Sequence, residues 1–208
     1  MTVACVWTER NQGQGGSVYN SQWVRKLKAG VLAQAPYARF ECLSDWTLDH
    51  DFPGWWAKIE LFKPGRFVGP VLFMDLDTLV VGSLKNLLGY RGEFAICRDF
   101  YHPTRMQSCV MAWTPGPHTA SIYDRFTSDP HRWMRKFRSD QEFIEDTLLR
   151  EVGLVPDYWQ DLHPGEVVSL KVHAREACPD DAALVCGHGE PRLSDPVAGW
   201  AHERWEVL

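Results

Sequence analysis

Short apolar runs and helically spaced apolar positions take turns along this chain. Val3-Ala4-Cys5-Val6-Trp7 is a run of strand length, and the polar, glycine-rich stretch from Thr8 to Ser17 (Gly13, Gly15, Gly16) predicts a loop after it. Those glycines lack the spacing of a dinucleotide or Walker loop. From about Asn20 to Leu32, apolar residues at Trp23, Val24, Leu27 and Val31 predict a helix. Phe40-Glu41-Cys42-Leu43 predicts a second strand, residues 44–54 a loop, and residues 55–62 a short helix stopped by Pro64-Gly65. Further strands are expected at Phe94–Cys97, Cys109–Trp113, Val167–Val172 and Ala183–Cys186. Helices are expected at Leu84–Tyr90, Ala120–Phe126 and Trp133–Phe137, and again after Ser139. Strands alternating with helices describe an α/β domain with a mixed, mostly parallel sheet flanked by helices, and one such domain accounts for residues 1–208.

One run breaks the apolar rule. Val71 to Leu84, VLFMDLDTLVVGSL, reads as a buried central strand, yet it carries Asp75-Leu76-Asp77 in its middle. An uncompensated carboxylate in an apolar place is costly. Side chains at i and i+2 share one side of a strand, so the two acids are expected to face one point. Converging carboxylates suit a hard divalent cation, Mg²⁺ or Mn²⁺, with room left for the oxygens of a diphosphate. The reading of the two acids as a solvated turn cap has less support behind four apolar residues.

Other candidates gather around this pair. Ligands of open α/β sheets bind beyond the carboxyl ends of the strands, which puts Thr8 and Tyr19 near a nucleotide, with Tyr19 available to stack on its base. Lys58, just ahead of the acidic strand, can reach phosphate or orient a carboxylate. Asp99 is a second acid at a strand end. Ser139 and Glu142 have capping-box spacing, which leaves Asp140 and Gln141 in the first helical turn; capping accounts for Asp140 but not for Gln141. His188 lies between Gly187 and Gly189 after the last strand, where imidazole can complete a cation site begun by two carboxylates.

Composition narrows the function classes. The net charge of −5 argues against a general nucleic-acid binder. No apolar stretch reaches the length of a membrane span, and the amino terminus lacks the basic start of a signal peptide. None of the six cysteines forms a Cys-x-x-Cys pair, so reduced thiols and a cytoplasmic location are expected. The ten tryptophans serve either a core or a stacking surface, and the carboxyl-terminal pair, Trp200 and Trp205, is expected to pack back on the body.

Five stretches in order, WWAKIELF, FMDLDTLVVGSL, SCVMAW, SDQEF and CGHGEPR, resemble the retaining glycosyltransferases related to glycogenin and to bacterial lipopolysaccharide galactosyltransferases. The resemblance covers most of residues 1–205. It implies a single GT-A-like nucleotide-sugar-binding domain and transfer of a sugar, with retention, from a nucleoside diphosphate sugar (a UDP-sugar favoured) to a glycan or other hydroxyl acceptor. It implies that Asp75, Asp77 and His188 hold Mn²⁺ or Mg²⁺, that Asp99 and Asp140 bind sugar hydroxyls, and that Gln141 lies near the anomeric carbon. Arg192 falls roughly where the family has a phosphate-binding lysine. Leu76, Ser108, Lys171 and Gly189 join Thr8, Tyr19 and Lys58 as expected contacts to the nucleotide sugar. Three departures from the family stand out: the His188 region is shorter, Glu142 replaces the third acid of Asp-Gln-Asp, and the loop after the first strand lacks an acidic-aromatic cluster.

Two rival readings use the same residues. In a haloacid-dehalogenase-type phosphatase, Asp75 would attack phosphorus, with Lys171 and Asp180-Asp181 as later motifs. That motif usually opens its domain, whereas here about 70 residues precede it. A non-catalytic sugar-binding module would draw on the tryptophans alone.

Overall fold

The computed structural model describes residues 1–9 and 19–208; the reading of Gly13, Gly15 and Gly16 as a loop lies outside the described residues. Nine strands are described: β1 (Thr2–Val6), β2 (Arg39–Leu43), β3 (Val71–Met74), β4 (Thr78–Val80), β5 (Phe94–Arg98), β6 (Met106–Trp113), β7 (Asp157–Tyr158), β8 (Val167–Ser169) and β9 (Leu184–Cys186). The α-helices are α1 (Ser21–Gln34), α2 (Lys85–Gly89), α3 (Pro117–Ser128), α4 (Pro130–Lys136), α5 (Asp140–Asp146), α6 (Trp159–Leu162) and α7 (Trp200–Glu206); a 3-10 helix covers Gly54–Phe62.

The large sheet has the order β2-β1-β3-β6-β5-β7, and only β6 runs against the others. Both of its faces are covered, which is why β3 is apolar at every position. Leu72 and Met74 enter one core with Val3, Cys5 and the α1 residues Trp23, Leu27 and Val31. Val71 and Phe73 enter a second core with Trp56, Ile59, Phe126 and Phe143. Asn20 caps α1 by accepting from the N–H of Gln22 at 2.9 Å. The carboxyl-terminal helix α7 closes the first core: Trp205 lies 4.8 Å from Trp23 between ring centroids, and the buried Lys26 donates to the carbonyls of Trp205 and Glu206 at 2.7 and 2.9 Å. A cation suits those last helical carbonyls.

Three elements differ from the sequence expectation. The run Val71–Leu84 is two strands in two sheets: it leaves β3 at the acids, and β4 pairs antiparallel with β9 in a second sheet of order β4-β9-β8. The expected strand Val167–Val172 ends at Ser169, whose hydroxyl accepts from the N–H groups of Lys171 and Val172 and turns the chain. Strand β7 has two residues and no apolar run to announce it.

Candidate active site

The acids sit where the chain changes sheets. The N–H of Asp75 still bonds the carbonyl of Cys109 on β6 at 2.8 Å, then Thr78 N–H closes a tight turn on the carbonyl of Asp75 at 3.1 Å. A turn, not strand alternation, brings Asp75 and Asp77 together. The carbonyl of Asp77 accepts from Gly187 N–H at 2.7 Å, which ties the turn to the end of β9. A side chain at position 187 would place its Cβ 2.8 Å from that carbonyl oxygen, so glycine is required for the approach.

Here a cavity of 540 Å³ opens beyond the strand ends. Val6, Trp7, Thr8 and Tyr19 line one side, Asp75, Leu76 and Asp77 the floor with Gln107, Ser108 and Cys109, and Gly187 and His188 another edge. Gly54, Trp55 and Lys58 from the 3-10 helix, with Arg138, Ser139, Asp140 and Gln141 at the start of α5, form the opposite wall.

Lys58 is the hub of the floor. Its ammonium lies 2.9 Å from Asp75 Oδ1, 3.5 Å from Asp140 Oδ2 and 3.2 Å from Ser108 Oγ. The Ser108 hydroxyl donates to Asp140 Oδ2 at 2.7 Å. Burial pushes the lysine toward its neutral form, but the Asp140 and Asp75 carboxylates outweigh burial and raise its pKa. Burial pushes Asp75 up to about 8 against the pull of Lys58, and the charge of Asp77 adds to the rise. Asp77 is pushed up to about 6, again by burial, although the Tyr19 hydroxyl donates to its Oδ2 at 2.8 Å. Tyr19 is thus committed to Asp77, with its ring edge-on to Trp23 at 5.0 Å.

The remaining expected site residues divide. Gln141 lines the cavity, and among the described residues its amide makes no hydrogen bond. His188 lines it too, but its Nε2 is 2.6 Å from Ser169 Oγ and its ring stacks on Phe100. Burial, and then Lys171, hold its pKa below the usual histidine value. Among the described residues no three histidine, cysteine, aspartate or glutamate side chains form a metal-binding group, so His188 shares the cavity without closing a three-ligand site around the two acids. Asp99 lies outside the cavity lining; its Oδ1 accepts from Tyr101 and His102 N–H at 2.8 and 2.9 Å and folds its own loop. Arg192 also lies outside and pairs with Glu190 at 3.1 Å. Gly189 has φ +70°, and a Cβ built there would come 3.4 Å from the Lys171 ammonium.

The capping box expected at α5 is not formed. The Ser139 side chain makes no cap bond, while Glu142 accepts from Arg138 N–H at 2.9 Å and pairs with Arg105 at 3.2 Å. Asp140 is instead drawn inward and buried against Lys58 and Ser108. Trp55, Gln107, Cys109 and Arg138 line the cavity without having been singled out from the sequence. Cys109 carries a thiol that Cys186 and Cys97, by hydrogen bonding, shift toward the thiolate.

The donor set suits a divalent cation. Burial raises the pKa of both carboxylates, a cation would stabilise their ionised forms, and both offer oxygen. Asp75 and Asp77 would hold such an ion.

No protein-family model matches the chain, and no curated protein sequence does. Solved structures do. The galactosyltransferase LgtC, in complex with donor and acceptor sugar analogues, superposes with a TM-score of 0.65 at 12% identity, over 100% of this chain and 95% of that one. This chain has a GT-A-like glycosyltransferase fold. The apo-form glycosyltransferase GlyE of Streptococcus pneumoniae TIGR4 matches with a TM-score of 0.67 at 10% identity, over 99% of this chain and 59% of that one. A glycosyltransferase involved in glycosylation of the major capsid of PBCV-1 matches with a TM-score of 0.57 at 14% identity, over the full length of both. No helix among the described residues of this GT-A-like chain is long and apolar enough to cross a membrane.

Proposed function

We propose that the chain is a glycosyltransferase that moves a sugar from a nucleoside diphosphate sugar, UDP-linked by preference, to an acceptor hydroxyl with retention of anomeric configuration. The observation that carries the reading is the pair of half-buried Asp75 and buried Asp77 on the floor of a 540 Å³ cavity, at the strand ends of a GT-A-like fold. Mn²⁺ or Mg²⁺ held by the two acids would supply the charge that stabilises a departing diphosphate. Lys171 and Gly189 lie outside the cavity lining, but Lys171 stands next to His188 at the cavity edge and would reach the same diphosphate from there, and Arg192, already paired with Glu190, contributes less. Thr8 meets the nucleoside side, while Tyr19 holds Asp77 in place.

Gln141, whose amide is unengaged, meets the sugar near its anomeric carbon, and Asp140 orients it through Lys58 and Ser108. Among the described residues, the three carboxylates lining the cavity are engaged by Lys58, Ser108 or Tyr19, and an amide is a poor base. The acceptor O–H therefore bonds the anomeric carbon while the bond to phosphate breaks. The electron pair stays on the diphosphate, and so does the acceptor's proton. This balance needs no enzymic base. A description of LgtC as having an active-site glutamine changed to glutamate is in keeping with a glutamine at such a centre. Free thiols at all six cysteines support a reducing compartment, the cytoplasm.

The phosphatase reading loses support because Asp180 and Asp181 are exposed and outside the cavity lining. Thermal melts with UDP, GDP, CDP and ADP, each with and without Mn²⁺, test the transferase reading by ligand mass action. Stabilisation by UDP with Mn²⁺ is expected. If no nucleotide stabilises the fold under either condition, sugar transfer from a nucleotide donor is excluded.

A further inference from the structure

The cavity wall away from the two acids has its own chemistry. Trp55 and Lys58 are three residues apart on the 3-10 helix Gly54–Phe62, and side chains at that spacing eclipse. Both line the cavity. A rise of roughly 2 Å per residue puts the indole about 6 Å along the wall from the Lys58 hub, on the order of one sugar ring. Its neighbour Trp56 is 6% exposed in the second core, but Trp55 is 54% exposed. Among the described residues the Trp55 ring has no hydrogen bond and no ring contact.

Arg138 completes this wall. It lines the cavity two residues before Asp140, and the 3-10 helix packs against α5. Among the described residues the wall holds two cations, Lys58 and Arg138. Lys58 is consumed by Asp75 and Asp140. The Arg138 guanidinium makes no close ion pair or hydrogen bond among the described residues; its charge acts at longer range on Glu142, whose carboxylate accepts from the Arg138 backbone N–H. Neither of the two acids that would hold the donor's cation pairs with Arg138: Asp75 is bonded by Lys58 and Asp77 by Tyr19.

We infer that Trp55 and Arg138 form the acceptor subsite and that the acceptor is a sugar bearing an anionic group, a carboxylate or a phosphate. The inference rests on the transferase reading of the same cavity. The indole covers the apolar face of the acceptor ring, and the guanidinium takes the anion through paired N–H donors, a geometry lysine cannot match. The cation of the floor, Lys58, is already taken up by Asp75 and Asp140, which keeps the charged end of the acceptor at the rim and its free hydroxyl toward Gln141.

Binding of three probes to the whole chain, followed by calorimetry, tests this: glucuronate, glucose 6-phosphate and methyl glucoside. One or both anionic sugars should bind about tenfold or more tighter than the neutral one, as a charge-assisted hydrogen-bonded pair supplies. Which of the two binds tells carboxylate from phosphate. Arg138→Gln should erase the preference, Trp55→Ala should weaken every probe that binds, and Trp55→Phe should retain binding. Equal affinity for neutral and anionic probes, a preference that survives Arg138→Gln, or no binding of any probe overturns the inference. The nucleotide melts read the donor side separately. A UDP shift without an anionic preference sinks the acceptor subsite alone; an anionic preference without any nucleotide shift sinks the transferase reading and leaves a sugar-binding site.

Discussion

Lys58 and Asp75 are joined twice, with the ammonium 2.9 Å from one carboxylate oxygen and 3.0 Å from the other. The same ammonium is the only cation close to Asp140, 3.5 Å away, among the described ion pairs. One lysine thus balances two acids, Asp140 buried and Asp75 half-buried. A cation arriving at Asp75 and Asp77 must share Asp75 with it.

Lys58→Met therefore leaves the buried Asp140 and the half-buried Asp75 without their counter-charge. Removing one partner of a buried pair costs about 3 kcal/mol or more. The variant should melt well below wild type near neutral pH, and Mn²⁺ should raise its melting temperature more than it raises that of wild type. Melts of both proteins with and without Mn²⁺ check this. An equal Mn²⁺ increment in the two would show that lysine and metal do not compete for Asp75.

The acids also set opposite pH slopes. Asp75 and Asp77 hold protons up to about 8 and about 6 in the folded protein; carboxyls of an unfolded chain lose theirs near 4. Between those limits the folded state carries more protons, so stability without ligand should fall as pH rises from about 4 to 8. A divalent cation binds the ionised form, so its stabilising increment should grow over the same range. Melts from about pH 5 to 8, with and without Mn²⁺, read both slopes. Asp75→Asn and Asp77→Asn should flatten them and lower transfer by at least about 100-fold, the scale of losing an electrostatic stabiliser. An Mn²⁺ increment that ignores pH would remove the two acids from the metal site.

The acid pair was legible because an apolar run that ends in carboxylates has no structural excuse. The rest of its geometry was not, because its cause is remote in sequence. The break after Met74 depends on β9, whose Gly187 grips the Asp77 carbonyl from about 110 residues downstream. Ser139 and Glu142 had the right spacing for a capping box, yet Arg138, Arg105, Lys58 and Ser108 redirect the side chains around it. Tertiary charge pairs outcompete a local cap worth about 1 kcal/mol. Trp55 and Trp56 are identical letters, and only packing separates the rim residue from the core residue. Strand β7 pairs with β5 at Asp157 and Tyr158, too short for any periodicity to register.

The segment that carries Trp55 and Lys58 is anchored by Glu60. Its carboxylate is fully buried, 2.6 Å from His50 Nδ1 and 2.9 Å from Arg66 Nη2. Glu60→Ala leaves the arginine with the exposed carboxylate of Asp49 and the carbonyl of Thr47 as partners. A loss of about 3 kcal/mol is expected, the lower end for a broken buried pair. Urea unfolding gives the loss. The UDP-dependent shift should survive in the folded fraction, because Glu60 does not line the cavity. A loss below about 1 kcal/mol, the range of surface pairs, would show that the network contributes little.

Lys171 and Arg192 compete for one role, and their surroundings differ. Arg192 already has Glu190 at 3.1 Å, and its backbone N–H is bonded to Asp195. Lys171 has no carboxylate partner among the described residues; its ammonium hangs over the backbone of Gly189, next to His188 at the cavity edge. An unpaired ammonium gives up little to meet a diphosphate, whereas the arginine must first leave its glutamate. Loss of a charge-assisted hydrogen bond is worth about 1.5–3 kcal/mol, or roughly tenfold and more in affinity. Lys171→Ala should therefore weaken UDP by about tenfold or more in calorimetry with Mn²⁺ present, and Arg192→Ala by less than about twofold. The weakening by Lys171→Ala should shrink at high salt, since a partly exposed charge is screened. The reverse ranking would hand the diphosphate to Arg192, at the position the sequence resemblance gave it.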